Sequence, residues 1–295
     1  MPNIFSQFNE TDLLQKVIIG RYEGYRKVDE YVEIINKSQK EGLPSLNQLE
    51  SEFEAFSEVL AAHGVEVLTP DYVGKFVYDQ LTPRDIGVTI GNRFVICNMA
   101  KRSRRYEATG IFRHILSMEG EEPNILLPPE NNMLLEGGDI IVDKGRIFVG
   151  ITQRTNRAGI EFLNSFFGDE FEVIPVQCDS FDEKEQVLHL DCIFNPVGPG
   201  HALIYPQGMK EIPDAITQNY KLIEVDEKAQ QFLATNVLSL NEETIISRDH
   251  PACRAANEAL REIGLEVITL PFDGAPATGG SFRCCSLPLI RSSSD

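Results

Sequence analysis

One recurring pattern constrains this chain's fold more than any other feature. Two short apolar runs are joined by turn residues, a helical stretch follows, and a further apolar run closes the unit. Asp85 to Ile96 carries the paired runs around Gly91 and Asn92, and Asp139 to Val149 carries them around Lys144 and Gly145. Asp191 to Tyr205 repeats them across a longer turn, and Asn236 to Ser247 is a fourth copy. Paired apolar runs around such turn residues are hairpin signals. Helical periodicity over Ser103–Leu116, Thr155–Phe167 and Pro251–Ile263 follows three of them, with Thr155 or Asn156 as a cap and Pro251 suited to a first turn. Glu66–Leu68, Phe171–Ile174 and Leu265–Leu270 read as closing strands. Units of this kind at a period of roughly 50 residues predict a propeller or array of α/β repeats, and that reading outweighs other fold patterns.

The first unit is less regular. Val17–Gly20 reads as a strand and Leu46–His63 as a helix, while residues 22–45 are polar and read as a loop or an extra helix. The last unit supplies residues 278–290 as the hairpin partner that closes the ring, leaving a short polar tail from Arg291. No Pro/Ser-rich linker divides the chain, so residues 1–295 are expected to form one α/β-propeller catalytic domain.

Composition narrows the function. No run approaches the length of a membrane span, and the start has neither a basic leader nor an apolar core, so a cytoplasmic protein with no membrane partner is expected. The six cysteines show no paired CxxC or metal-ligand spacing, which favours free thiols in a reducing compartment. A net charge of −18 argues against nucleic acid and is compatible with a small cationic partner.

Strand ends around a propeller axis converge, so polar residues at equivalent points of successive units meet. Those points are Asp85, Asp139, Asp191, Asn236 and Cys284, with His189 just before Asp191. Carboxylates at one phase are poor packing residues, because a buried charge needs a partner. They call for a cation. No metal-ligand cage is evident, and a planar guanidinium fits through bidentate hydrogen bonds. Cys284 and Cys285 follow two glycines that allow close approach to a thiol, although either is also a common kind of small core residue. His189 and Asp191 stand two apart, the spacing of one strand face, where a carboxylate would tune the imidazole. Gly137 and Gly138 permit a tight bulge that aims Asp139 inward. Arg154 and the basic cluster Lys101–Arg105 are candidates for holding an anionic substrate tail, against the default of solvated surface arginines.

Taken together, these motifs resemble the guanidino-group-modifying enzymes: arginine deiminases, dimethylarginine dimethylaminohydrolases and glycine amidinotransferases. The resemblance runs from about Val17 to Pro288. Val17–Gly20, Thr82-Pro-Arg-Asp85, Arg102-Ser-Arg104 and Glu107 look most like amidinotransferases. Glu136-Gly-Gly-Asp139 resembles the deiminases, and Phe148–Gly150 through Asn156 the dimethylargininases. His189-Leu-Asp191 is shared with deiminases, and Gly279-Gly280 before Cys284 is similar to the nucleophile segment across the family. Gln153 stands where deiminases often carry Glu.

The resemblance implies a five-bladed α/β propeller, the pentein fold. It implies Cys284 as nucleophile, His189 as general acid/base and Asp139 gripping the guanidinium beside it. Asp85, Asp191 and Gly138 would complete the guanidinium site, and Arg154 and Arg104 would hold a substrate carboxylate. No cofactor or metal is implied, and homo-oligomer formation stays open. Three activities remain: a hydrolase, an amidinotransferase, or a non-catalytic binding protein on the same fold, like the ribosome-binding translation factors. The last class should lack the Cys/His/Asp set that this chain carries.

Overall fold

The computed structural model describes residues 4–25, 43–74, 77, 80–118, 120, 124–180 and 187–293. Five three-stranded sheets form a ring of α/β repeats, the five-bladed arrangement expected. Four blades take their strands in chain order. They are β3 (Gly87–Ile90), β4 (Arg93–Ile96) and β5 (Ile125–Leu126); β6 (Ile140–Asp143), β7 (Arg146–Ile151) and β8 (Glu172–Gln177); β9 (Phe194–Val197), β10 (His201–Ile204) and β11 (Lys221–Glu224); and β12 (Leu238–Ser239), β13 (Thr244–Arg248) and β14 (Glu266–Leu270). In each, the first two strands are an antiparallel hairpin and the third runs parallel to the second.

The fifth blade joins the two ends of the chain. β15 (Ser286–Ser292) pairs antiparallel with β1 (Leu13–Ile19), and β2 (Glu66–Leu68) pairs parallel with β1. Arg291 and Ser292 therefore belong to a strand and not to a polar tail. Arg291 is buried, and its guanidinium donates to the carbonyls of Asp12 and Ser239. Of the polar stretch 22–45, residues 26–42 lie outside the described residues, as do 294–295 of the tail.

The sequence explains these elements locally. The β6–β7 hairpin turns on Lys144 and Gly145, both at positive φ (50° and 76°), which a two-residue turn of matching twist requires. Asn156 caps the helix Arg157–Phe167 by accepting from the Gly159 N–H, and Ser45 caps Leu46–Ala62 in the same way at Gln48. The first two strands of a blade carry continuous apolar runs where both faces are covered, as in β6 and β7, whereas closing strands such as β8 and β11 are partly exposed. Ile140, Ile141, Val142, Ile147, Phe148 and Val149 are all fully buried, so truncating Phe148 to Ala would cost about 3–5 kcal/mol. Among the described residues, no helix is long and apolar enough to cross a membrane.

Two expectations need correcting. Ser103–Leu116 is not one helix: 3-10 turns at Arg102–Arg104 and Glu107–Ile111 precede a short α-helix, Phe112–Leu116. Inward pairing of Arg104 and Glu107, and close packing of Gly110 on the Asp71 carbonyl, hold this tighter path. His189 and Asp191 do not share a strand face. Leu190–Cys192 is a 3-10 turn, and β9 begins only at Phe194.

Candidate active site

Equivalent turns carry the candidate residues. Asp85 lies in the 3-10 turn Pro83–Ile86 before β3, Asp139 ends the turn Gly137–Asp139 before β6, and Asp191 lies in the turn before β9. Asn236 precedes β12 and Cys284 precedes β15. Each turn is closed by a backbone bond, such as Asp85 N–H to Thr82 and Asp139 N–H to Glu136. Five blades thus aim five turns at one axis. Gly137 and Gly138 are required by close approach: a Cβ on Gly137 would lie 2.1 Å from the Arg84 carbonyl oxygen, and one on Gly138 would lie 2.7 Å from Asp85 Oδ1 and 2.8 Å from the His189 ring.

His189 is fully buried. Its Nε2 lies 2.8 Å from Glu136 Oε2, and its Nδ1 faces Asp85 Oδ1 at 3.6 Å. Burial disfavours the imidazolium, but Asp85, Asp139 and Glu136 outweigh it and lift the ring to about 10. The imidazole is therefore charged at neutral pH. Glu136 was not among the sequence candidates. The same carboxylate accepts from the Ala100 N–H and pairs with Arg154 at 3.4 Å.

Asp85 Oδ2 accepts from Arg104 Nη1 at 2.6 Å, while its Oδ1 has no hydrogen-bond partner among the described residues. Burial raises this carboxyl, but His189 and Arg104 bring it below its ordinary value. Arg104 also forks onto Glu107 and donates to Thr82. Both arginines expected at a substrate tail thus pair with carboxylates of the site. Asp85, Glu136 and His189 offer ligand atoms within 4.8 Å of one another, the spacing of a metal set. Arg104 and Arg154 already pair with that cluster, so its negative charge is met by guanidinium groups.

Asp139 stands behind His189. Its Oδ1 accepts the Leu190 N–H and its Oδ2 accepts from Thr152 at 2.7 Å, so it fixes the backbone next to the imidazole. Burial pushes its carboxyl up to about 7, against the His189 charge and these hydrogen bonds.

The thiol side is built differently. Cys284 Sγ donates to Asp191 Oδ2 at 3.4 Å and accepts from Asn236 Nδ2 at 3.2 Å, while Asn236 Oδ1 receives the Cys284 N–H. Cys192 reaches the other oxygen of Asp191 and hydrogen-bonds with the Cys284 thiol. That bond, then burial, then the Asp191 charge push the Cys284 thiol well above its ordinary value. Asp191 is itself held by Arg283 at 2.9 Å. Cys285 is wholly buried among apolar side chains including Phe282.

Comparisons with known proteins converge on one group. A family model described as N,N dimethylarginine dimethylhydrolase, eukaryotic, matches residues 27–291. The uncharacterized protein YkgA of Bacillus subtilis (strain 168) is 34% identical over 96% of this chain and 94% of its own length. The amidinotransferase SxtG of Microseira wollei superposes with a TM-score of 0.83 at 21% identity, covering 98% of both chains. A dimethylarginine dimethylaminohydrolase of Pseudomonas aeruginosa, solved with citrulline, superposes with a TM-score of 0.75 at 18% identity, covering 94% of this chain and 99% of that one.

Proposed function

The chain belongs to the N,N dimethylarginine dimethylhydrolase family of guanidino-modifying enzymes, and from that premise we propose that it is a cysteine-dependent hydrolase of arginine or a related guanidino compound. The observation that carries this reading is the buried Oδ1 of Asp85, which accepts no hydrogen bond among the described residues and lies 3.6 Å from Nδ1 of a charged His189. An acceptor in that position suits a guanidinium N–H.

Chemistry follows from the two protonation states. A cation bound beside Cys284 favours its thiolate, which the resting site disfavours. Binding of the cation releases the Cys284 thiol proton to solvent, and the sulfur attacks the guanidinium carbon. His189 holds one N–H on Glu136 through Nε2, leaving the Nδ1 proton for the departing amine. The C–N bond breaks, the amine leaves and an amidino-thioether remains. Neutral His189 then takes a proton from water, the hydroxide adds to the carbon, and the C–S bond breaks to give a ureido product and free Cys284. Asp139 and Thr152 keep the His189 segment in place throughout.

A second reading has the amidino group pass from Cys284 to another amine. The Asp85–Arg104–Glu107 cluster favours it, since these residues belong to the amidinotransferase-like motifs. Incubation with arginine, methylated arginines, agmatine and guanidinoacetate, with and without a second amine, tests both. A ureido product with free ammonia or alkylamine supports hydrolysis, and an amidino group recovered on the added amine supports transfer. Turnover of none of these, with no adduct on Cys284, would remove the guanidino reading.

A further inference from the structure

Behind the nucleophile, on the ring axis, lies a second buried charge cluster that the reaction above does not use. Arg283, next to Cys284 in sequence, spans it. Its Nη1 donates to Asp191 Oδ2 at 2.9 Å, and its Nη2 donates to Glu10 Oε1 at 2.9 Å and to the Ile140 carbonyl at 3.0 Å. Glu10 comes from the segment before β1, outside every hairpin repeat, and is almost fully buried. That segment is itself pinned in place. Gln7 exchanges backbone bonds with Gly91, Gln7 Nε2 donates to Glu10 Oε1, and the Glu10 N–H donates to Asp143 Oδ1.

We propose that Glu10 is a positioning residue for the reaction: through Arg283 it fixes the Asp191 carboxylate against which the Cys284 thiol is held. This rests on the reading of Cys284 as nucleophile. A guanidinium bonded at both ends by carboxylates from opposite sides cannot rotate or withdraw from Asp191. Asp191 Oδ2 receives both the Arg283 Nη1 proton and the Cys284 thiol, so a displaced Arg283 changes the acceptor the thiol faces. Glu10 also divides the Arg283 charge between two anions. With that negative charge removed, more of the guanidinium charge bears on Asp191, and the thiol gives up its proton more readily.

The charged groups around both ends are few. Glu10 faces Arg283, Arg84 and Arg291, and its backbone meets Asp143. Cys284 faces Asp191, Cys192, Asp85 and the Asn236 amide. Burial lowers Arg84 to about 9 and Arg291 to about 10, in the alkaline range where the raised Cys284 thiol ionises, so Glu10→Asp, which keeps the charge facing them, separates their titration from the relay.

Three proteins test this: wild type, Glu10→Gln, which keeps an acceptor and loses the charge, and Glu10→Asp, which keeps the charge and shortens the reach. Iodoacetamide labelling of Cys284 is followed against pH by fragmentation mass spectrometry, which separates it from Cys285 and needs no substrate. The labelling midpoint of Glu10→Gln should move down by about half a pH unit or more. Glu10→Asp should keep the midpoint and lower kcat several-fold with KM within twofold, because geometry alone has changed. Folded Glu10→Gln with the wild-type midpoint and kcat overturns the proposal. If that variant does not fold, Glu10→Asp with wild-type kcat overturns it instead. A shifted midpoint in a protein whose wild type turns over no guanidino compound supports the relay and counts against the hydrolase reading, so the two failures are distinct.

Discussion

His189 is surrounded by opposite charge, with Glu136 Oε2 at 2.8 Å, Asp85 Oδ1 at 3.6 Å and Asp139 behind. Cys284 instead meets a carboxylate, a second thiol and an amide, none of which stabilises a thiolate by charge. One side therefore holds its proton as a cation, and the other holds its proton as a neutral thiol. Cys284 and His189 thus do not rest as a thiolate–imidazolium pair. On the proposed mechanism the acid is ready at rest, the nucleophile is not, and the missing positive charge comes with the substrate. At neutral pH such a site reacts slowly with stray electrophiles until a cation arrives, and only alkaline pH exposes the thiolate without one.

The largest expected effect lies on the thiol side. Cys284→Ala should lower turnover by roughly three orders of magnitude or more and abolish the mass-trapped adduct, since no other group can bond to the carbon. Cys285→Ala should stay near wild type, because Cys285 is packed in the apolar cluster with Phe282. Comparable turnover by Cys284→Ala would end the assignment.

Next comes the imidazole side. Glu136→Gln should lower kcat roughly a hundredfold, within the range of general acid/base loss. The pH profile carries the sharper test. On the proposed mechanism turnover needs protonated His189, so kcat should fall as pH rises through the His189 value, which lies at about 10. Without the Glu136 charge that value drops, and the alkaline limb should move to lower pH. An unmoved limb in Glu136→Gln would show that the charge on His189 has another source.

Asp139→Asn should be milder, on the order of tenfold in kcat with KM nearly unchanged, because both its oxygens already accept internal donors and Asn keeps one acceptor. A large rise in KM for every guanidino compound would instead place Asp139 in direct contact with substrate.

How far the sequence reads this site follows from the same contrast. Asp85, Asp139, Asp191, Asn236 and Cys284 are legible because each precedes the first strand of a blade, and a repeat fixes phase. Glu136 is not legible, because its role depends on a partner in the next blade: a carboxylate three residues before Asp139 has no periodic reason to meet His189. The carboxylate partners of Arg104 and Arg154 are hidden for the same reason. The charge type of the two arginines suggests a substrate carboxylate, while the fold brings Asp85, Glu107 and Glu136 to them first. Nothing in the sequence distinguishes Cys192 from the other cysteines; the turn Leu190–Cys192 sets it against Asp191. Glu10 lies outside the repeat altogether, so no periodicity marks it.

The smallest expected effect separates the two sides by stability alone. A group whose folded value is raised stabilises the fold fully below its unfolded value and loses that contribution as pH rises through the folded one. His189 rises from 6.5 to about 10, so its contribution declines from pH 6.5 upward. Asp139 rises from 3.8 to about 7, so its decline is complete near neutrality. The Cys284 thiol lies well above 9, so its own loss starts only where the unfolded thiol ionises. Asp85 and Glu136 are lowered, so their contribution is present above about 4 and lost only in acid. Between about pH 7 and 8, below the range in which an unfolded thiol ionises, His189 alone among these groups should tilt the curve. Tm measured across that window should fall in wild type and in Cys284→Ala, and should be flatter in His189→Gln. Equal slopes in all three would mean that His189 is not held as a cation, and the two sides of the site would no longer differ in the way the geometry requires.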